Sequence, residues 1–136
     1  MSVAKVLFET VVAAYQTAGG TIPLWFGIAA GTRRPFGVLL IVPTNSETPT
    51  TFSGDEGEGG SLQCQWSIAD DSSLRAYDEA ELLKTVVQQT LGIIGTAPNQ
   101  YRIYGNTTEG VTQGDAGLGG WSSIFESTIL WDKEQP

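Results

Sequence analysis

Histidine is absent from this 136-residue chain, and Cys64 is its one cysteine. Without histidine there is no Ser-His-Asp or Cys-His nucleophile pair, and no zincin motif. A single cysteine excludes an intrachain disulfide and a cysteine-based metal site. Basic residues are also few: 7 Lys and Arg stand against 15 Asp and Glu, for a formal net charge of −8. Nucleic-acid affinity comes largely from basic side chains gripping phosphates, so this balance argues against a phosphate-gripping surface. No stretch approaches the roughly 18–20 consecutive apolar residues of a membrane span. The N-terminal segment is apolar in flavour, but Lys5 and Glu9 interrupt it, which predicts an amphipathic helix and no signal peptide. The expectation is a soluble chain made in a reducing compartment, with no cofactor, no metal and no membrane partner.

Glycine is the residue present in excess, with 17 copies, roughly twice the usual share. At 136 residues the chain forms one domain, residues 1–136, with a single core. From Ser61 to Leu91 the sequence reads SLQCQWSIADDSSLRAYDEAELLKTVVQQTL. Leu62, Cys64, Trp66 and Ile68 recur at every second position, the mark of a half-buried strand, and place Cys64 and Trp66 in the core. From Ala76 the period changes, and Ala76, Ala80, Leu83, Val87, Leu91 and Ile94 fall on one helical stripe. A second stripe, from Val3 to Ala14, predicts a helix from about Val3 to Thr17, closed by Gly19-Gly20.

Between these units, Ile22–Ile28 reads as an edge strand or extended loop because Pro23 and Gly27 punctuate it. FGVLLIV, Phe36 to Val42, reads as a strand buried on both faces. Residues 43–60 form a long acidic loop with two prolines, four glycines and no base. Tyr101–Tyr104 is a short strand, residues 105–120 a second Gly-rich loop, and Trp121–Trp131 a final strand. That strand has Trp121, Phe125, Ile129 and Trp131 on one face and Ile124 and Leu130 on the other, so a core and a partner would cover it. The fold class expected is α+β: a small mixed, mainly antiparallel sheet packed against two amphipathic helices, with long Gly-rich loops.

The candidate sites are weak as chemistry. GDEGEGG in the acidic loop has no Lys-Ser/Thr after it and no following helix, so it is no phosphate loop. It also lacks the ligand spacing of a calcium loop. Asp70, Asp71, Asp78, Glu79 and Glu81 cluster where the second helix begins; acids there cap free N–H groups and complement the helix dipole. Asp78 and Glu81 have capping-box spacing, while Ser72 and Ser73 are an earlier start. A carboxylate pair for glycoside hydrolysis would be the catalytic alternative, with no motif to carry it. Arg33-Arg34 is the only paired basic spot, too small for a DNA patch and suited to a subunit interface. Trp25, Trp121 and Trp131 lie near strand or loop ends, where aromatics anchor interfaces or ligands. A carbohydrate-binding module using them is a second reading, opposed by the two helices.

The order helix, extended segment, buried strand, acidic loop, alternating strand, long helix, then two strands around a Gly-rich loop resembles the tail terminator (tail-completion) proteins of long-tailed bacteriophages and gene-transfer-like particles. QCQWSIADDSSLRAYDEAELLKTVVQQTL carries the resemblance, which extends over nearly the whole chain. It implies a non-enzymatic structural virion protein at the head-proximal end of the tail, made in the host cytoplasm. Such a protein forms a homo-hexameric ring that caps the tail tube, ends its polymerisation and joins it to the head–tail connector (stopper) protein. The partners implied are the chain itself, the major tail tube protein and the connector, with DNA only in passage through the channel. A neck or head-closure protein of the same particle is the nearest alternative. No catalytic residue is implied. Within that frame the sequence suggests Glu47, Asp55, Glu56 and Glu58 as channel or loop contacts, because acids would repel passing DNA. Arg33, Arg34, Trp25, Trp121, Phe125 and Trp131 are the subunit-interface candidates, since ring closure joins two different patches.

Overall fold

The computed structural model describes residues 2–27, 33–42 and 59–133. In chain order the elements are α1 (Val3–Thr17), β1 (Leu24–Phe26), β2 (Phe36–Val42), β3 (Gly59–Asp70), α2 (Ser73–Gln88), β4 (Gly92–Thr96), β5 (Asn99–Thr108), β6 (Thr112–Gly117) and β7 (Gly120–Lys133). The strands form one seven-stranded sheet in the order β1-β2-β3-β7-β5-β4, with β6 paired to β7. Only β1 and β2 run parallel; the other pairs are antiparallel. The expected α+β class, a mixed and mainly antiparallel sheet against two helices, is the fold observed.

The spine is the β3–β7 pair, in register from Gly59↔Asp132 to Asp70↔Trp121. Alternation decides which face each side chain takes. Cys64, Trp66, Ile68, Phe125 and Ile129 point toward the helices and are buried. They meet Leu7, Val11 and Tyr15 of α1 and Ala76, Ala80, Leu83 and Val87 of α2 in one core. Trp66 stacks on Phe125 with ring centroids 6.3 Å apart, and its indole Nε1 donates to Ser127 Oγ at 3.0 Å. That bond satisfies the one polar atom of a large buried side chain. Burial pushes the Cys64 thiol up to about 12 from 9.0, so it stays a neutral, unreactive hydrophobe.

Serine starts both helices. Ser2 caps α1 by accepting from Lys5 N, and Ser72 caps α2 by accepting from Arg75 N. Asp70, 4% exposed, accepts from Ser72 N and from Arg75 Nε at 2.6 Å. The acidic cluster is thus partly a cap, and its centre is Asp70 with Ser72. Asp78 and Glu81 lie inside the helix, so the later start they suggested does not occur. Glu79 instead joins the two helices: it accepts from Tyr15 Oη at 2.7 Å and from Thr21 N at 3.2 Å. Burial above all, with the Glu79 hydrogen bond adding to it, raises the Tyr15 phenol well above its ordinary pKa.

Three expectations need correction. The second helix stops at Gln88, before Leu91 and Ile94, because Gly92 takes φ +87 and opens β4. There Ile94 is buried in a strand opposite Tyr101. Asn106 on β5 reaches back with its Nδ2 to the Val87 and Thr90 carbonyls, satisfying helix-end acceptors. Residues 105–120, expected as a loop, complete β5 and build β6. Gly105 sits in that strand because a Cβ there would lie 2.8 Å from the Leu130 side chain. β2 is buried on one face only: Leu39 is 1% exposed but Leu40 is 42% exposed.

Candidate assembly surfaces

The face of the sheet away from the helices has no covering element among the described residues. Register places Trp25, Val38, Ser67, Ile124 and Thr112 along one row of it, and Leu40, Gln65 and Glu126 along the next. Further along, Leu130 stands opposite Ser61 and Gly105. Trp25, Leu40 and Leu130 remain 43%, 42% and 38% exposed. Glutamines, serine and threonine separate them, so the face is amphipathic, suited to a partner that is itself partly polar.

β6 and the start of β7 form a hairpin in which every residue of β6 is exposed. Its turn carries Leu118 at φ +50 and 99% exposure, between Gly117 and Gly119, both also at positive φ. The turn is pinned to the domain by Arg34. The guanidinium donates from Nη1 to Gly117 O at 2.9 Å, from Nη2 to Leu118 O at 3.0 Å and from Nε to Asp71 Oδ1 at 2.8 Å. It lies against Gly120, where any Cβ would overlap it. Gln113 ties the same hairpin to α2 by donating to Ser73 O and to Ser123 Oγ.

Across the molecule, α1, the end of α2 and β4 enclose an apolar groove of about 540 Å³. Ala13, Ala14, Thr17, Val86, Leu91 and Ile93 are among the residues lining it. Leu91 and Ile93 are 56% and 49% exposed there.

No protein-family model and no curated protein sequence matches the chain. Solved structures do. A protein chain in the solved virion of a native gene transfer agent (GTA) particle superposes with a TM-score of 0.66 at 11% identity, covering 96% of this chain and 98% of its own. At that identity the likeness is one of fold. A second solved chain superposes with a TM-score of 0.53 at 13% identity, over 98% of this chain and 94% of its own.

The sequence candidates separate on this fold. Phe125, expected at an interface, is core: it is 2% exposed because its position shares the inward face of β7 with Ile129. The Arg34 guanidinium donates to the hairpin turn and to Asp71, which ties it to the tip that the turn presents. Arg33 beside it is exposed. Trp25 and Trp121 are both exposed, but on opposite faces of the sheet, because Trp25 aligns with Val38 and Trp121 with Asp70. Trp131 is half-buried, edge-on to Tyr101 at 5.7 Å, with its indole Nε1 buried and unpartnered among the described residues. Glu47, Asp55, Glu56 and Glu58 lie outside the described residues.

Sequence reasoning missed Leu118 and the groove. Leu118 stands within GDAGLGG, where glycines on both sides were the available signal for a turn with an apolar tip. The groove had no linear signal, because it joins residues from α1, α2 and β4. Among the described residues, no group of three or more Cys, Asp or Glu is arranged to hold a metal ion, and no helix is long and apolar enough to cross a membrane.

Proposed function

We propose that this protein is a structural, non-enzymatic virion component that closes into a ring on the head-proximal end of a phage-like tail tube. The ring ends tube polymerisation, joins the tail to the head connector and lets DNA pass through its channel. The whole-chain likeness to a chain of the gene transfer agent virion carries this reading, because both proteins are aligned almost end to end. The physical features agree with it. Separate apolar patches on one small domain suit heterologous contacts, which close rings when the rotation allows. A net charge of −8 keeps a channel from adhering to DNA. On the same reading Glu47, Asp55, Glu56 and Glu58 are the candidates for channel or loop contacts.

A sugar-binding module is the weaker alternative, since Trp25 and Trp121 lie on opposite sheet faces and cannot form one stacking platform. The test is mass measurement in solution and negative-stain imaging, with the protein alone and mixed with the tail tube protein of the same particle. Rings of about six copies, free or on tube ends, are the expected result. A monomer that neither binds tube ends nor limits tube length sinks the proposal. Charge reversal at Asp55, Glu56 and Glu58 should leave folding intact and slow DNA passage; unchanged infectivity would remove those acids from the account.

A further inference from the structure

We infer that the Leu118 hairpin tip of one copy seats in the groove between α1, the end of α2 and β4 of the next copy. The inference rests on the ring reading and names its contact. Leu118 touches nothing that could explain its type: it is 99% exposed. It also occupies a left-handed conformation, at φ +50, that glycine or asparagine adopts at lower cost. Yet the turn presenting it is held by two Arg34 hydrogen bonds, and Arg34 is itself oriented by Asp71. A rigid turn displaying one apolar side chain is a pre-organised anchor, which loses little entropy on docking.

The receiving groove lies at the other end of the domain. The hairpin is tied to Ser73, the first residue of α2, while Val86 and the turn after α2 line the groove. The 16 residues of α2 separate the two patches by about 24 Å along a rigid helix, so Leu118 cannot reach the groove of its own chain. On the ring reading the occupant is another copy, and the contact is head-to-tail, the geometry that generates rings. The groove suits an apolar anchor: no ionisable side chain lines it, so a leucine entering it leaves no charge desolvated there. Exposed Ala13 and Ala14 leave room for a leucine side chain between the helices' ends.

The test uses the full chain, alone and on tail tubes. Leu118→Asp should weaken self-association about a hundredfold while leaving the monomer's melting temperature unchanged. In a second design, Leu118→Cys and Ala14→Cys in one chain should give, on mild oxidation, a ladder of covalent multimers ending in a closed ring. Each single cysteine variant should stay monomeric on a non-reducing gel. If wild-type rings form, Leu118→Asp rings form equally well and no ladder appears, the contact is wrong while the ring reading stands. Tip-to-tip dimers from Leu118→Cys alone would also overturn it. A wild-type protein that forms no ring, alone or on tubes, overturns both.

Discussion

Removing the Arg34 guanidinium tests whether the hairpin is a fixed feature of the surface. Arg34→Ala deletes two charge-assisted hydrogen bonds to turn carbonyls, at 2.9 and 3.0 Å, and an ion pair with Asp71 at 2.8 Å. The Asp71 side chain is 73% exposed, so that pair contributes well under 1 kcal/mol. Each turn bond, next to solvent, is worth about 1 kcal/mol. The total is about 2 kcal/mol, and most of it acts locally, since β6 pairs only with β7. Local opening should therefore become about 30-fold more frequent. Native-state hydrogen exchange of residues 112–120 is the assay, with β3 and α2 amides as internal controls. Arg34→Lys keeps the charge and loses the planar fork, so it should recover less than half of the protection. Unchanged exchange in the hairpin of Arg34→Ala, or a rise spread evenly over β2 and β3, would refute the assignment.

Phe125→Ala removes a ring stacked on Trp66 in the core and should destabilise the monomer by about 3–5 kcal/mol in urea unfolding; a loss of assembly without a loss of stability would return Phe125 to the interface. Cys64 should resist a thiol reagent in the folded protein and react promptly in denaturant. Its folded pKa is raised, so its contribution is complete below the unfolded value near 9.0 and is lost as pH climbs toward about 12. Urea unfolding between pH 8 and 11 should show Cys64→Ala losing less stability with pH than wild type. Tyr15→Phe leaves Ile22 N without its acceptor and Glu79 without its phenol donor, which should cost about 1–3 kcal/mol, while Glu79→Gln, able to accept still, should cost less. Equal melting temperatures for wild type and Tyr15→Phe would show that this link between the helices carries no weight.

Much of this protein was legible in its sequence because local periodicity reports burial directly. The period-two pattern from Leu62 to Ile68 and the stripe from Ala76 to Val87 each had one structural solution, and both were realised in a sheet with helices on one face. The missing histidine and lone buried cysteine likewise removed whole classes of chemistry without any coordinates. Three features were decided only by tertiary structure. β6 is a strand because β7 offers it backbone partners; its own side chains, all exposed, carry no alternation to read. Phe125 and Trp121 share a strand face, yet one is sealed against Trp66 and the other, opposite Asp70 at the end of β3, is 41% exposed. Arg34 looked like half of a free basic pair until the fold brought Asp71 and the Gly117 and Leu118 carbonyls to it from 37, 83 and 84 residues away. Sequence spacing encodes which face a side chain takes, because that depends on the neighbouring backbone alone. Which distant group meets it depends on chain closure, and that is written only in three dimensions.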